Sequence, residues 1–333
     1  MDFTLSKQHL LLRDMYRAFA ENEVKPLAEE VDEEERFPME TVKKLARYGF
    51  MGIPFPKKYG GAGGDVLAYA MAVEELSKAC ATTGVIVSAH TSLCCAPIYE
   101  NGTEEQKMQY LPKLLSGEWI GAFGLTEPNA GTDASGQQTK AVLEGDHYVL
   151  NGSKIFTTNS GFADTFLVFA LTDKAAGPHK GMSAFLIDRN TPGITVQPDI
   201  KRMGIRGASN SEVVYTDVRV PASDLLGGEG KGFKIAMKAL DGGRIGIAAQ
   251  ALGIAEGALE RAIEYTKEQL HIAKRENSLA SQSQHSRIHS SELLNYRQEL
   301  MQLVFLHGVQ LLLKTMANLT MYMLQKLNWL LLM

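Results

Sequence analysis

GAFGLTEPNAGTDASG, Gly121 to Gly136, is the stretch on which the fold turns. Ala122 to Leu125 read as a strand that runs into a loop carrying the hydroxyl residues Thr126, Thr132 and Ser135. Gly131 and Gly136 let the backbone turn sharply there. A loop of this composition offers N–H groups and hydroxyls to the polar edge of a ring or to a phosphate. A plain strand-to-loop connection with Asx and Ser/Thr turns has the same composition, so the residues alone leave both readings open.

The texture of the chain changes at this point. Before it the pattern is helical. Leu12, Met15 and Phe19 share one face at helical spacing, and the acidic run Glu29, Glu30 and Asp32 to Glu35 reads as a solvated side. Pro38 opens a helix that Gly49 ends. Tyr59 to Asp65 is a loop, because its four glycines would weaken a helix or a strand. Residues 66–80, 88–100 and 104–115 return to helical periodicity.

From Trp119 to Pro221 short runs rich in Val, Ile, Thr, Tyr and Phe alternate with turn residues, the mark of a small antiparallel β domain. Asn151-Gly152, inside HYVLNGSKIFTT, is its hairpin signal. Helix resumes after Gly227 to Phe233 with five glycines inside it: Gly242, Gly243, Gly246, Gly253 and Gly257. Each would cost about 1 kcal/mol against Ala in an exposed helix, so they mark close approach of a neighbour or ligand. The chain is therefore α+β in class, divided at 1–116, 117–225 and 226–333.

A chain of 333 residues exceeds one typical core, in keeping with that division. Its net charge is −4 with Lys and Arg scattered, which excludes the basic stripe of a nucleic-acid binder. The three cysteines, Cys80, Cys94 and Cys95, cannot all pair and lack metal-ligand spacing, so they read as reduced thiols in a cytoplasmic protein. The N-terminus shows neither a signal-peptide core nor a transit pattern; only an unseen transit peptide would place the chain in a mitochondrial matrix. Gly228 to Gly232 (GEGKG) mimics a phosphate loop, but its Lys is followed by Gly rather than Ser or Thr. His90 has no second ligand at useful spacing, so no metal site is expected.

KIFTTNSG, Lys154 to Gly161, is the second stretch with chemical content. An aromatic followed by two threonines suits a planar cofactor, although Phe156 as a core-facing strand residue explains the same letters.

Three matches in register carry a family resemblance. AFGLTEPNAGTDASG resembles the first flavin signature of acyl-CoA dehydrogenases, and KIFTTN resembles their second. LDGGRIGIAAQALGIA, Leu240 to Ala255, is similar to the helix that opens their C-terminal domain. AVEELSK and GTEEQK earlier in the chain agree in order and spacing. The DGGR variant points to the short-chain, butyryl-CoA branch, and the resemblance covers the first ~265 residues.

The resemblance implies the acyl-CoA dehydrogenase fold: a helical N-terminal domain, an antiparallel β middle domain and a truncated helical C-terminal domain. It implies FAD as cofactor, short-chain acyl-CoA as substrate, electron-transfer flavoprotein as partner and a homotetramer in intact members. Phe123, Leu125 and Thr126 would line the flavin pyrimidine edge. Thr132 would sit between FAD and the acyl-CoA phosphates. Phe156, Thr157 and Thr158 would flank the ring, and Asp241, Gly242, Gly243 and Arg244 would touch CoA. The implied reaction removes the α-proton with a carboxylate and transfers the β-hydride to flavin, giving trans-2-enoyl-CoA.

The tail departs from that pattern. The short-chain branch carries its glutamate base in a Y-E-G-T motif absent here, and the position used by another branch is Gly243. The family's Gln-x-[FL]-G-G segment and R-x-x-F-G-K are also missing, with Glu268 to Lys274 standing in place of the latter. A Leu- and Met-rich stretch follows, but Lys314 and Lys326 leave about 14 uncharged residues at most, short of a membrane span. A divergent helical hairpin is a second reading. Reading the codons for Lys314 to Met333 two nucleotides later permits a string like the family's own helix, so a frameshifted gene is the expectation. Such a chain is an impaired enzyme, or a non-catalytic flavin- and acyl-CoA-binding remnant.

Overall fold

The computed structural model describes residues 4–275. The expectations for the Leu- and Met-rich stretch, its hairpin and its frameshift lie outside the described residues.

Ser6 accepts the His9 N–H and starts α1 (Lys7–Phe19). Its buried stripe is Leu12, Tyr16 and Phe19, not Leu12, Met15 and Phe19. Met15 is 42% exposed: the two sets span the same arc of a helix, and it is Tyr16 that packs on Phe50. Then come α2 (Ala28–Glu33) and α3 (Met39–Arg47), the latter followed by Gly49 in the left-handed region (φ 75°). Asp65 accepts the Ala68 N–H to cap α4 (Val66–Ala79). Next, α5 (Ala81–Ser88) continues through a π-helical turn at Ala89–Cys95 into α6 (Ala96–Asn101). A reciprocal capping box between Thr103 and Gln106 starts α7 (Glu104–Ser116). The stretch Ala81–Asn101 is long and apolar enough to cross a membrane, yet 78% of it is buried inside the protein, which makes it a core helix.

The β layer holds β1 (Gly121–Gly124), β2 (Lys140–Glu144), β3 (His147–Thr158) and β4 (Thr165–Leu171). A single helical turn, α8 (Pro178–Gly181), precedes β5 (Met182–Asp188), β6 (Ile194–Val196), β7 (Asn210–Pro221) and β8 (Leu225–Leu226). They form one sheet in the order β6-β7-β3-β2-β4-β5-β8, with β1 also on β4. The sheet is mixed rather than purely antiparallel: β1 runs parallel to β4, and β2 meets β4 parallel at Lys140 and Leu171. The chain between β1 and β4 is long enough for such a crossover.

The hairpin expected at Asn151-Gly152 is not there, because β3 runs straight through both residues. The turn lies at Gly145-Asp146, with Gly145 at φ 66°. Asn151 instead faces a bulge in β7, where its side chain accepts the Asp217 N–H and donates to the Asp217 carboxylate. Gly152 is needed because a Cβ there would lie 2.5 Å from Thr139 Oγ1.

The described residues end with α9 (Gly232–Arg275), packed along α4 and α5. Its glycines explain themselves here: a Cβ on Gly253 would overlap the Glu74 carbonyl, and one on Gly257 would overlap that of Lys78. Gly246 likewise meets Tyr69 and Ser88. The sheet is fastened to the helices by His90, whose Nδ1 accepts the Gly121 N–H at 3.0 Å. That leaves Nε2 to donate to the Leu114 carbonyl at 3.1 Å. Burial lowers the His90 pKa to about 4, so the ring is neutral. It is a core histidine with both nitrogens committed to main chain.

Candidate functional site

The site grows from the loop that leaves β1. Leu125 is buried, Thr126 and Ser135 half-buried, and Gly131, Thr132 and Asp133 exposed. Glu127 and Ala130 close a tight turn through reciprocal main-chain bonds. Farther on, the Ser135 hydroxyl and N–H bind the Asp133 carboxylate and hold it below the usual carboxylate range.

The second motif lies on β3 beside this loop. Lys154, fully buried, donates to Leu125 O at 3.2 Å, Glu127 Oε1 at 2.7 Å and Gln137 Oε1 at 2.8 Å. Burial lowers its pKa to about 8, with Glu127 pushing it back up. Burial raises the Glu127 carboxyl, but Lys154 and the Thr139 and Gln138 N–H groups outweigh that and hold it low. At pH 7 the pair is charged. The register then slips between Lys154 and Thr157, leaving one extra residue on β3. Freed from the ladder, the Ile155 N–H donates to Thr126 O at 2.8 Å. Phe156 takes φ 58°, a conformation uncommon for an aromatic residue, and stands 58% exposed.

Between these two stretches and α9 lies a cavity of about 660 Å³. Phe123, Leu125, Thr126 and Thr132 line it from the first stretch, and Phe156 and Thr158 from the second. Arg244 lines it from α9. The other candidates sit elsewhere. Thr157 is fully buried, its hydroxyl without a partner among the described residues. Gly242 lines a separate cavity of about 160 Å³ with Tyr69 and Tyr99. Gly243 is buried against Leu93, where a Cβ would come to 2.9 Å from Leu93 Cδ2. Asp241 is exposed and ion-paired with Arg244.

Sequence reasoning missed part of the wall. Phe233, Met237 and Leu240 face the cavity at i, i+4, i+7 on α9, in line with Arg244, and Ala89 and Leu93 come from the π-helical turn. The apolar stripe is visible in the sequence but indistinguishable there from ordinary core. Nothing in the sequence signals that His179 reaches the cavity edge-on to Phe233.

Comparison with known proteins decides what this arrangement belongs to. The family described as "Acyl-CoA dehydrogenase, N-terminal domain" matches residues 6–118, the middle domain 122–218 and the C-terminal domain 230–291. A short-chain specific acyl-CoA dehydrogenase from Clostridium acetobutylicum is 64% identical over 274 residues, 82% of this chain and 72% of that protein. The chain belongs to the acyl-CoA dehydrogenase family. The C-terminal match carries the family likeness to residue 291, past the ~265 residues over which the motifs run.

Among solved structures, butyryl-CoA dehydrogenase from Megasphaera elsdenii superimposes with a TM-score of 0.88 at 44% identity. That superposition covers 94% of this chain and 81% of the other. A structure described as the electron transferring flavoprotein of Acidaminococcus fermentans matches with the same TM-score at 46% identity, covering 94% and 80%.

Acyl-CoA dehydrogenases are oxidoreductases that bind FAD. The residues present fit that group. The exposed Phe156 ring, held out from its strand on a bulge, faces a cavity edged by the Thr126, Thr132 and Ser135 side chains. Gly131 has nothing within 4 Å of a would-be Cβ, so the backbone there is open to a ligand. Arg244, 66% exposed and tied among the described residues to a similarly exposed Asp241, is placed to meet an anionic group at the rim.

Proposed function

We propose that this chain binds FAD and a short-chain acyl-CoA in the 660 Å³ cavity, for α,β-dehydrogenation to trans-2-enoyl-CoA with electrons passed to electron-transfer flavoprotein. The observation that carries the reading is the convergence there of Phe123, Phe156 and Arg244, one from each of three motifs far apart in sequence. Phe123, Leu125 and Thr126 hold the polar edge of the ring, Phe156 and Thr158 flank it, and Thr157 supports that turn from the core. Thr132 lies between the two ligands' phosphates, with Asp241, Gly242, Gly243 and Arg244 on the CoA side. Bound FAD supplies a two-electron hydride acceptor.

Removing the α-proton needs a base. Among the described residues, Asp133 is the carboxylate lining the cavity, and its Ser135 hydrogen bonds stabilise the anion and make it a poor one. No glutamate lines the cavity among those residues. We therefore infer that dehydrogenation by this chain runs about 10²–10⁴-fold below that of a relative carrying a positioned base. That shortfall favours, as the second reading, a chain that binds flavin and acyl-CoA without turning over. Three units, 1–116, 117–225 and 226–333, and a cytoplasmic location, in keeping with three buried free thiols, belong to the same proposal.

The test is to purify the full chain, load it with FAD, remove free flavin by gel filtration and add butyryl-CoA. Retained flavin absorbance with slow bleaching is the expected result. A colourless protein sinks the cofactor reading, whereas bleaching at the rate of an intact relative sinks the impairment.

A further inference from the structure

The ion pair between Lys154 and Glu127 is buried, and it lies behind the cavity rather than in it. Buried pairs are often no better for stability than apolar residues of the same volume, so burial alone does not account for this one. Its partners do. The ammonium has three protons and three acceptors: Leu125 O, Glu127 Oε1 and Gln137 Oε1. Glu127 accepts the Gln138 N–H at 2.6 Å and the Thr139 N–H at 3.0 Å. Gln137 Nε2 returns to Leu125 O at 2.8 Å. Every one of these contacts falls at an end of the loop, Leu125 to Glu127 or Gln137 to Thr139. None falls on its cavity-lining middle, Gly131 to Ser135.

We propose that Lys154 is a positioning residue that clamps both ends of the 125–139 loop, and thereby sets the geometry in which that loop and the Phe156 bulge meet the flavin. The inference rests on the FAD reading above. Lys154 ties three segments with one group. It fixes the loop's departure from β1 through Leu125 O and its return to β2 through Glu127 and Gln137. It also fixes Phe156, two residues along the same strand, whose bulge is pinned by Ile155 N–H on Thr126 O. Among the described residues the middle of the loop makes local bonds only, from Asp133 to Ser135 and to the Gly136 N–H, so its position follows from its ends. An uncharged side chain at 154 fills the same volume but leaves the Glu127 carboxylate buried without its cation and Leu125 O with one donor fewer. The loop ends are then free to move while the sheet around them keeps its ladders.

Lys154→Met in the full chain tests this, read by two measurements. One is amide hydrogen exchange by mass spectrometry without added flavin; the other is the Kd for FAD from flavin fluorescence. The expected result is exchange tenfold or more faster in peptides spanning 125–139 and 154–158, with β4 and β5 at the wild-type rate. FAD affinity falls tenfold or more alongside it. Exchange that rises evenly over the whole sheet marks a merely structural lysine and overturns the proposal. So does a loosened loop with unchanged FAD affinity. Where Lys154→Met does not fold, Gln137→Met, which deletes one of the three acceptors, takes its place. The same local loosening with weaker FAD binding then supports the clamp, and even exchange or unchanged affinity overturns it. If the wild-type chain binds no FAD, the cofactor reading fails on its own, and local against global exchange still decides whether Lys154 clamps the loop.

Discussion

Gly253→Ala sets two effects of opposite sign against each other. Helix propensity favours Ala over Gly by about 1 kcal/mol in a helix interior, so on an isolated α9 the change would stabilise. In the folded chain the new methyl would overlap the Glu74 carbonyl oxygen and lie 3.0 Å from Glu74 C and 3.1 Å from Lys78 N. These are main-chain atoms of α4 and cannot rotate away. Clearing them means moving α9 off α4 by roughly 1 Å, a gap that forfeits a quarter to a half of each dispersion contact along the seam. Gly246 and Gly257 approach α4 on that same seam, so the loss spreads over three turns. Overpacking of this kind costs about 1–3 kcal/mol, which exceeds the propensity gain. Thermal unfolding followed by far-UV circular dichroism should show Tm lower by about 2–4 °C for each kcal/mol lost. Gly131→Ala is the control, since a Cβ there meets nothing within 4 Å, and its Tm should stay at the wild-type value. A Gly253→Ala protein as stable as wild type, or more so, would refute the close-packing account of the α9 glycines.

His90→Leu should destabilise by about 1–3 kcal/mol in urea titration, because it strands the Gly121 N–H in the core, while the Leu114 carbonyl keeps the Gly117 N–H. In wild type the unfolded chain binds a proton on His90 between pH 6.5 and about 4 that the folded chain does not. Stability therefore falls as pH drops through that window, and His90→Leu should flatten the slope. Glu74 behaves oppositely: burial, with Glu256 and Glu75 nearby, raises its pKa to about 8. From pH 4.5 to about 8 the folded chain keeps a proton that the unfolded chain has lost, so this group costs stability as pH rises. Glu74→Gln should match wild type in Tm near pH 4.5 and exceed it at pH 8.

How much of this is legible in the sequence depends on what each residue is tied to. Pro38, Gly49 and Asp65 announce their helix boundaries because caps and left-handed turns are decided within a few residues. Asn151-Gly152 misleads because the dipeptide that suits a hairpin also suits the strand opposite a bulge. Only the position of Asp217, 66 residues away, tells the two apart. Met15 misleads for a smaller reason, since a periodicity of three or four residues leaves the stripe undecided by one position until the neighbours are known. Gly246, Gly253 and Gly257 read as close approaches and are so, yet the atoms they approach lie on α4 and α5, far earlier in the chain.

The site divides along the same line. Phe123, Leu125, Thr126, Thr132, Phe156, Thr158 and Arg244 stand out as letters in motifs, and they face the cavity. Lys154 and Glu127 stand in the same motifs but carry no cofactor-facing chemistry, and their meaning lies wholly in a contact 27 residues apart in sequence. A motif therefore records two kinds of residue at once, those that touch the ligand and those that hold the touching ones still. Sequence shows both and separates neither. Burial separates them: Phe156 is 58% exposed and Lys154, two residues before it, is 0%. The charged residue on the inside is the one whose removal should move the aromatic on the outside.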